Sequence, residues 1–410
     1  MTQRSRCALH FITMRKRVHV DGADVVGISR LGIEGTAGIT DIVEEVHSAV
    51  LENILPGTPI HSALVESTAG IYTAVRLVTG AVNGGLDAAL SPYVSRIAGI
   101  RSTPEREAVL AALNGVVGDH LAATKNPLAI AMRLRRGGIA LEVERSHLAA
   151  AIPDISDKVL LFVHGLCMND LQWARGGRNR GTDLASELGW TPVHLHYNTG
   201  LHVSTNGRAL AGLLENVVSE WPVPVRELAI IGHSCGGLLA RSAHFYGASA
   251  GHRWAKCLRY LVFLGTPHHG SALERAGNYA TQLLRSTRYS SPFARIARIR
   301  SAGITDLRYG NLVDEDWQGI DRFQNSADRR LLLPLPGGVR CFAIAATKGG
   351  LARGFGDGLV SIDSALGRHK EPARTLAFAP SDQWVVHGMT HRDLLTRAAI
   401  YHKIRDWLAA

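Results

Sequence analysis

The stretch 227–247, ELAIIGHSCGGLLARSAHFYG, holds an apolar run, a serine set among glycines, and a second apolar pattern with a different period. ELAIIG reads as a short strand buried on both faces, and GGLLARSAHFYG has helical spacing. A serine at the turn between such elements is held in a tight, strained conformation with its hydroxyl pushed outward. Glycines two before and two after it, Gly232 and Gly236, let strand and helix approach closely. The turn also places Ser234 at a helix N-terminus, where backbone N–H groups and the helix dipole favour developing negative charge. Ser234 is therefore the expected nucleophile, against the alternative of ordinary glycine-rich punctuation before a helix.

The pattern repeats outward from this point. The strand-like runs KVLLFVHG and PVHLHYN alternate with the helical patterns GTDLASELG and NGRALAGLLENVVSEW. LRYLVFLGTPHHG, VRCFAIAAT and RTLAFAP follow, and HRDLLTRAAIYHKIRDWL reads as the closing helix. Doubly buried strands alternating with helices predict an α/β fold with a mostly parallel sheet flanked by helices. AMRLRRGGIALEVE, turning on Gly137-Gly138, predicts a hairpin at its start. Upstream, residues 21–127 read as a helical N-terminal region behind a flexible tail, 1–20. Ile42, Val43, Val46, Val50, Leu51 and Ile54 form one stripe, Thr103 and Pro104 mark a helix start, and Pro127 a stop. The catalytic domain is expected over 128–410.

Composition narrows the class. The 410 residues are 46% hydrophobic and 20% charged, which suits a globular chain with a substantial core. The net charge of +10 comes mostly from scattered arginines without a lysine-rich tail, so no nucleic-acid partner is expected. Five cysteines without C-x-x-C spacing point to a reducing compartment and away from disulfides or a metal cluster. No metal and no cofactor are expected. The N-terminal apolar run is short for a signal peptide and lacks a cleavage site, and no uncharged apolar stretch is long enough to span a bilayer. A cytoplasmic protein follows, with peripheral contact to a membrane or lipid surface as the variant.

A serine hydroxyl needs a base, and the base needs an acid to hold its tautomer. With the acid and then the base following the serine on loops after late strands, Asp357 in GFGDGLVS and His391 in GMTHRDLL fill the two slots. Asp363 and His387 are the competitors. His268 and His269 come too early for the base and lack a third ligand at a zinc-like spacing, so they are expected to line or buttress the cleft. His164-Gly165 ends the strand KVLLFV, and the turn after it can aim amides into the cleft. The backbone N–H groups of Leu166 and Cys235 are the expected oxyanion donors, with the thiol of Cys235 incidental.

Taken together, FVHGL, IIGHSCGGLLAR, LVFLGTPHHGS, GDGLVSIDSALG and GMTHRDLL, spread over 158–408, resemble the bacterial lipase-like branch of the α/β-hydrolases. Within that branch they lie near triacylglycerol lipases and the PGAP1-like (GPI-inositol-deacylase) group. The resemblance implies an α/β-hydrolase fold and carboxylic-ester hydrolysis. Ser234 would be nucleophile, His391 general base and acid, and Asp357 the orienting acid. Residues 270–337 are long for a connection and suggest a helical lid. There Phe293, Ile296 and Ile299 alternate with Arg295, Arg298 and Arg300 in a pattern suited to a lipid or anionic interface. The expected substrate is a small-molecule ester or lipid. An acyltransferase, a polyester depolymerase and a non-catalytic binding scaffold are the alternatives.

Overall fold

The computed structural model describes residues 27, 28, 30, 31, 102–271, 274, 300–323, 327–349 and 356–409. The expected tail, the 42–54 stripe and the Phe293–Ile299 pattern lie outside these residues. The chain divides into two compact units, Met1–Arg106 and Glu107–Ala410. Of the first, the residues around the expected helix start are described. Thr103 Oγ1 accepts the backbone N–H of Arg106 at 3.2 Å, the capping contact its sequence position predicts.

The unit from Glu107 onward is built on one sheet. Helix α1 (Pro104–Ala123) leads into the short strands β1 (Arg133–Arg136) and β2 (Ile139–Ala140), and helix α2 (Arg145–Ala151) follows. Then come β3 (Lys158–Val163), α3 (Arg180–Glu187), β4 (Thr191–His196), α4 (Val203–Glu220), β5 (Glu227–His233) and α5 (Cys235–Ser249). The chain continues through α6 (Arg253–Cys257), β6 (Leu258–Leu264), α7 (Ala302–Asp306), β7 (Arg340–Thr347), α8 (Ile362–Ala365), β8 (Gln383–His387) and α9 (Ala398–Ala409). The spatial order is β8-β7-β6-β5-β3-β4-β1-β2. All neighbours from β8 to β4 are parallel, and the β1–β2 hairpin joins β4 antiparallel. This is an α/β architecture with a mostly parallel sheet flanked by helices.

The two-sided burial read from the sequence has a direct counterpart. Val159, Leu161 and Val163 of β3 face one core with Leu210 and Leu214 of α4 and Leu239 of α5. Leu160 and Phe162 face the other, with Leu184 of α3 and Ile400, Ile404 and Trp407 of α9. After β3 the chain moves outward to β4, then returns to the other side of β3 as β5. The carboxyl ends of β3 and β5 thus lie side by side where the winding reverses, the place an open α/β sheet leaves for a ligand.

Two expectations shift. RTLAFAP is not a strand: Pro372 and Pro380 bracket it, and Phe378 N–H bonds the carbonyl of Leu376 at 2.9 Å in a tight turn. Its Leu376 and Phe378 fill the end of the core instead, and the last strand is Gln383–His387, in parallel register with Ala343–Thr347. His391 does not start the last helix but sits in a loop before a 3-10 turn, Asp393–Leu395. Helix α1 packs Ala112 and Val116 against Leu166 and Cys167. In the stretch expected to be a lid, 300–323 contributes core: Ile304, Leu307 and Val313 are fully buried.

Candidate active site

Ser234 adopts φ 55° and ψ −129° between β5 and α5, a conformation that side-chain-bearing residues rarely take. Such strain costs about 1–3 kcal/mol and persists only where the surroundings enforce it. Here its N–H donates to the carbonyl of Leu264 at 2.9 Å, and its carbonyl accepts from Gly237 at 3.0 Å. Both flanking glycines are sterically required. A Cβ on Gly232 would lie 2.6 Å from Gly237 Cα, and one on Gly236 would overlap the carbonyl oxygens of Val163 and His164.

Asp357 is presented by a turn between Gly356 and Gly358, both at positive φ. Its Oδ1 accepts the N–H groups of Leu359 and Val360, each at 2.9 Å. Its Oδ2 lies 2.6 Å from His391 Nδ1, and both side chains are buried. A carboxylate accepts, so Nδ1 carries the proton and Nε2 keeps its lone pair. Nε2 is buried with no hydrogen-bond partner among the described residues. The loop is pinned by Thr390, whose N–H and hydroxyl both donate to Asp393 Oδ2. Of the competitors, Asp363 lies in the first turn of α8 and His387 is exposed at the end of β8.

His233, unassigned by the sequence reading, ties His391 to the serine turn. Its Nε2–H donates to the carbonyl of His391 at 3.0 Å, and the rings lie 4.6 Å apart. Burial, with His391 beside it, keeps its pKa well below the usual imidazole range, so it is neutral. Gly265 completes the approach, since a Cβ there would sit 3.0 Å from His391 Cε1.

The turn after β3 forms the facing wall. Gly165 is required because a Cβ would lie 2.9 Å from Ser234 Cβ. Cys167 is a second non-glycine at positive φ, 59°. Leu166 of this turn is buried in one apolar cluster with Cys167 and with Cys235, the first residue of α5, whose thiol is buried. Burial pushes that thiol up to about 12, keeping it protonated. Tyr197 donates to the His164 carbonyl at 2.8 Å and stacks on the His164 ring at 4.5 Å. Burial lowers His164 to about 3.

Beneath this turn lies a charged cluster that no motif announces. Arg135 Nη1 meets Glu107 at 2.7 Å and Asp170 at 3.2 Å, and His196 Nδ1 meets Asp170 at 3.3 Å. Burial pushes the Asp170 carboxyl up, but His196 and Arg135 outweigh it and hold the group below its ordinary value. Sequence offers no signal for this cluster, since α1, β1, β4 and the post-β3 loop meet only in the fold. His268 and His269 stand apart, lining a separate cavity. Among the described residues no group of histidine, cysteine and carboxylate side chains could hold a metal ion.

A family model described as PGAP1-like alpha/beta domain matches residues 202–333, a segment that includes Ser234. No curated protein matches the chain. Among solved structures, it is similar to the mature lipase BlEst2 of Bacillus licheniformis, at 19% identity, 61% of this chain, 90% of that one and a TM-score of 0.39. It is also similar to the Pyrococcus furiosus esterase Pf2001, at 12% identity, 62% and 80% coverage and a TM-score of 0.37. A hydrolase from a Moroccan lagoon-sediment metagenome covers 62% of this chain and 92% of its own, at 14% identity and a TM-score of 0.33.

Proposed function

Starting from an α/β-hydrolase fold with a strained serine at its strand-to-helix turn, we propose that this protein is a serine carboxylic-ester hydrolase acting on a lipid-like or acyl-ester substrate. The observation that carries the reading is the buried 2.6 Å contact between Asp357 and His391, held beside the Ser234 turn by His233. The PGAP1-like match supports hydrolysis, and the Phe293–Ile299 spacing supports an acyl chain.

In this reading Ser234 Oγ attacks the ester carbonyl as its proton passes to His391 Nε2. Asp357 keeps Nδ1 protonated and stabilises the imidazolium that forms. The carbonyl oxygen becomes an oxyanion met by the N–H groups of Leu166 and Cys235. Collapse expels the alcohol, which takes the proton from Nε2 and leaves an acyl-serine. Water then repeats the cycle, giving its proton to His391, releasing the acid and restoring Ser234.

The test is turnover of p-nitrophenyl esters of graded chain length by the full chain and by Ser234→Ala. A drop on the order of 10⁴-fold or more is expected, with fluorophosphonate labelling confined to Ser234. Unchanged turnover in the variant would overturn the proposal. A preference for short chains would remove the lipid-like part alone.

A further inference from the structure

Outside the ester site, α5 carries a second feature. Arg241 stands seven residues beyond Ser234 on this helix. At the rise of an α-helix that is about 10 Å farther along the axis. It is 6% exposed. Its Nη2 donates to the Leu333 carbonyl at 2.6 Å and its Nη1 to His268 Nδ1 at 3.3 Å, while Nε has no partner among the described residues. Among those residues no carboxylate pairs with it. A buried guanidinium is normally paired, because losing hydration without an opposite charge is costly.

Arg241 lines a cavity of about 210 Å³ together with Arg330, Arg374, His268, His269 and Asp316. The carboxylates around it are already engaged. Asp316 accepts the N–H groups of Leu312, Val313 and Leu331 at 2.7, 3.2 and 2.8 Å. Asp328 is shared by Arg330 at 2.9 Å and Arg374 at 3.4 Å, and Glu371 meets Arg374 from an exposed position. Arginine can only donate, so His268 accepts at Nδ1 and carries its proton on Nε2. That Nε2 also lacks a partner among the described residues. The cavity is thus lined by Arg241, Arg330, Arg374 and His268 around space for about seven waters.

We infer that this cavity is a binding site for a small phosphate-type oxyanion, either free phosphate or a phosphate monoester. Guanidiniums suit such a group through paired N–H···O contacts, and the anion supplies the counter-charge that no described carboxylate gives Arg241. The site is separate from the ester chemistry, and its lining does not include Ser234, Asp357 or His391.

Thermal unfolding and calorimetric titration, at constant ionic strength with inorganic phosphate, glycerol 3-phosphate and succinate, test this. A saturable rise in Tm of several degrees is expected with at least one of the two phosphates. Tighter binding of phosphate identifies the free ion, and tighter binding of glycerol 3-phosphate the monoester. Ser234→Ala keeps the response. Arg241→Met loses at least tenfold in phosphate affinity while its Tm without phosphate holds or rises, because an unpaired buried charge has been removed. Arg241→Lys, which keeps the charge, retains a weaker saturable response. Should Arg241→Met fail to fold, Arg330→Gln serves in its place and weakens phosphate at least fivefold. The inference is overturned by non-saturable or absent shifts in the wild type, by succinate matching both phosphates, or by an undiminished response in the variant.

Discussion

Ser234 and Cys235 are neighbours with different physical demands. The serine holds φ 55°, whereas in the proposed reaction the cysteine contributes a backbone amide. Its thiol is buried and stays protonated, so it has no part in this reading. Cys235→Ala keeps both amides, so its turnover is expected within about threefold of the wild type, measured on the best ester of the panel. Loss of an oxyanion donor costs about 10²–10³-fold, so a collapse of that size would assign the thiol a role of its own. At this scale much of the candidate site was legible. Ser234, Asp357 and His391 stand in an order that loops after parallel strands impose, and their residue types are those that acyl transfer needs. His233 was not legible, because its contact with the His391 carbonyl joins positions 158 residues apart.

At the scale of elements, the serine turn depends on the approach of α5 to the ends of β3 and β5. Gly236→Ala places a methyl group against two carbonyl oxygens of the post-β3 turn, and neither can move without shifting the strand. Overpacking of this kind costs about 1–3 kcal/mol, and turnover should fall with it as Leu166 is displaced. Gly212, inside α4, is the control: nothing lies within 4 Å of its added Cβ. Gly212→Ala should stabilise by about 0.5–1 kcal/mol, since alanine loses less backbone entropy in a helix. Urea midpoints and ester turnover of both variants check the pair. Helix α1 shows the limit of periodicity as a guide. Its start was readable from Thr103 and Pro104, but its partner was not. Gly115 fits against Cys167 because any Cβ there would overlap the sulfur, a pairing that no local pattern encodes.

For the whole molecule, burial of histidines sets an acid limit. His164, His194, His233 and His268 are held neutral by desolvation, at about 3 for His164 and about 4 for His194 and well below the usual range for the others. In the unfolded chain each titrates near about 6.5, so below that pH the unfolded state binds more protons than the folded one. Stability from these groups is complete above about pH 6.5 and falls as pH drops, each contributing up to about 1.4 kcal/mol per pH unit. Urea midpoints between pH 8 and pH 5 should be level at the alkaline end and decline below about 6.5. A level profile down to pH 5 would count against neutral burial.

The division between sequence and tertiary structure follows from the range of the interactions. By itself the sequence determined the α/β layering and the strained serine turn, because hydrophobic period and glycine placement act within a few residues. It also supplied the chain order in which Asp357 and His391 are proposed as acid and base, through the alternation of strands and helices. Only the tertiary structure decided that Gln383–His387 and not RTLAFAP closes the sheet, since a strand exists through its partner's register. The same holds for α1 beneath the post-β3 turn, for the Glu107–Arg135–Asp170–His196 cluster and for the arginine-lined cavity. Each depends on side chains distant in sequence meeting only in the fold, which no local propensity encodes.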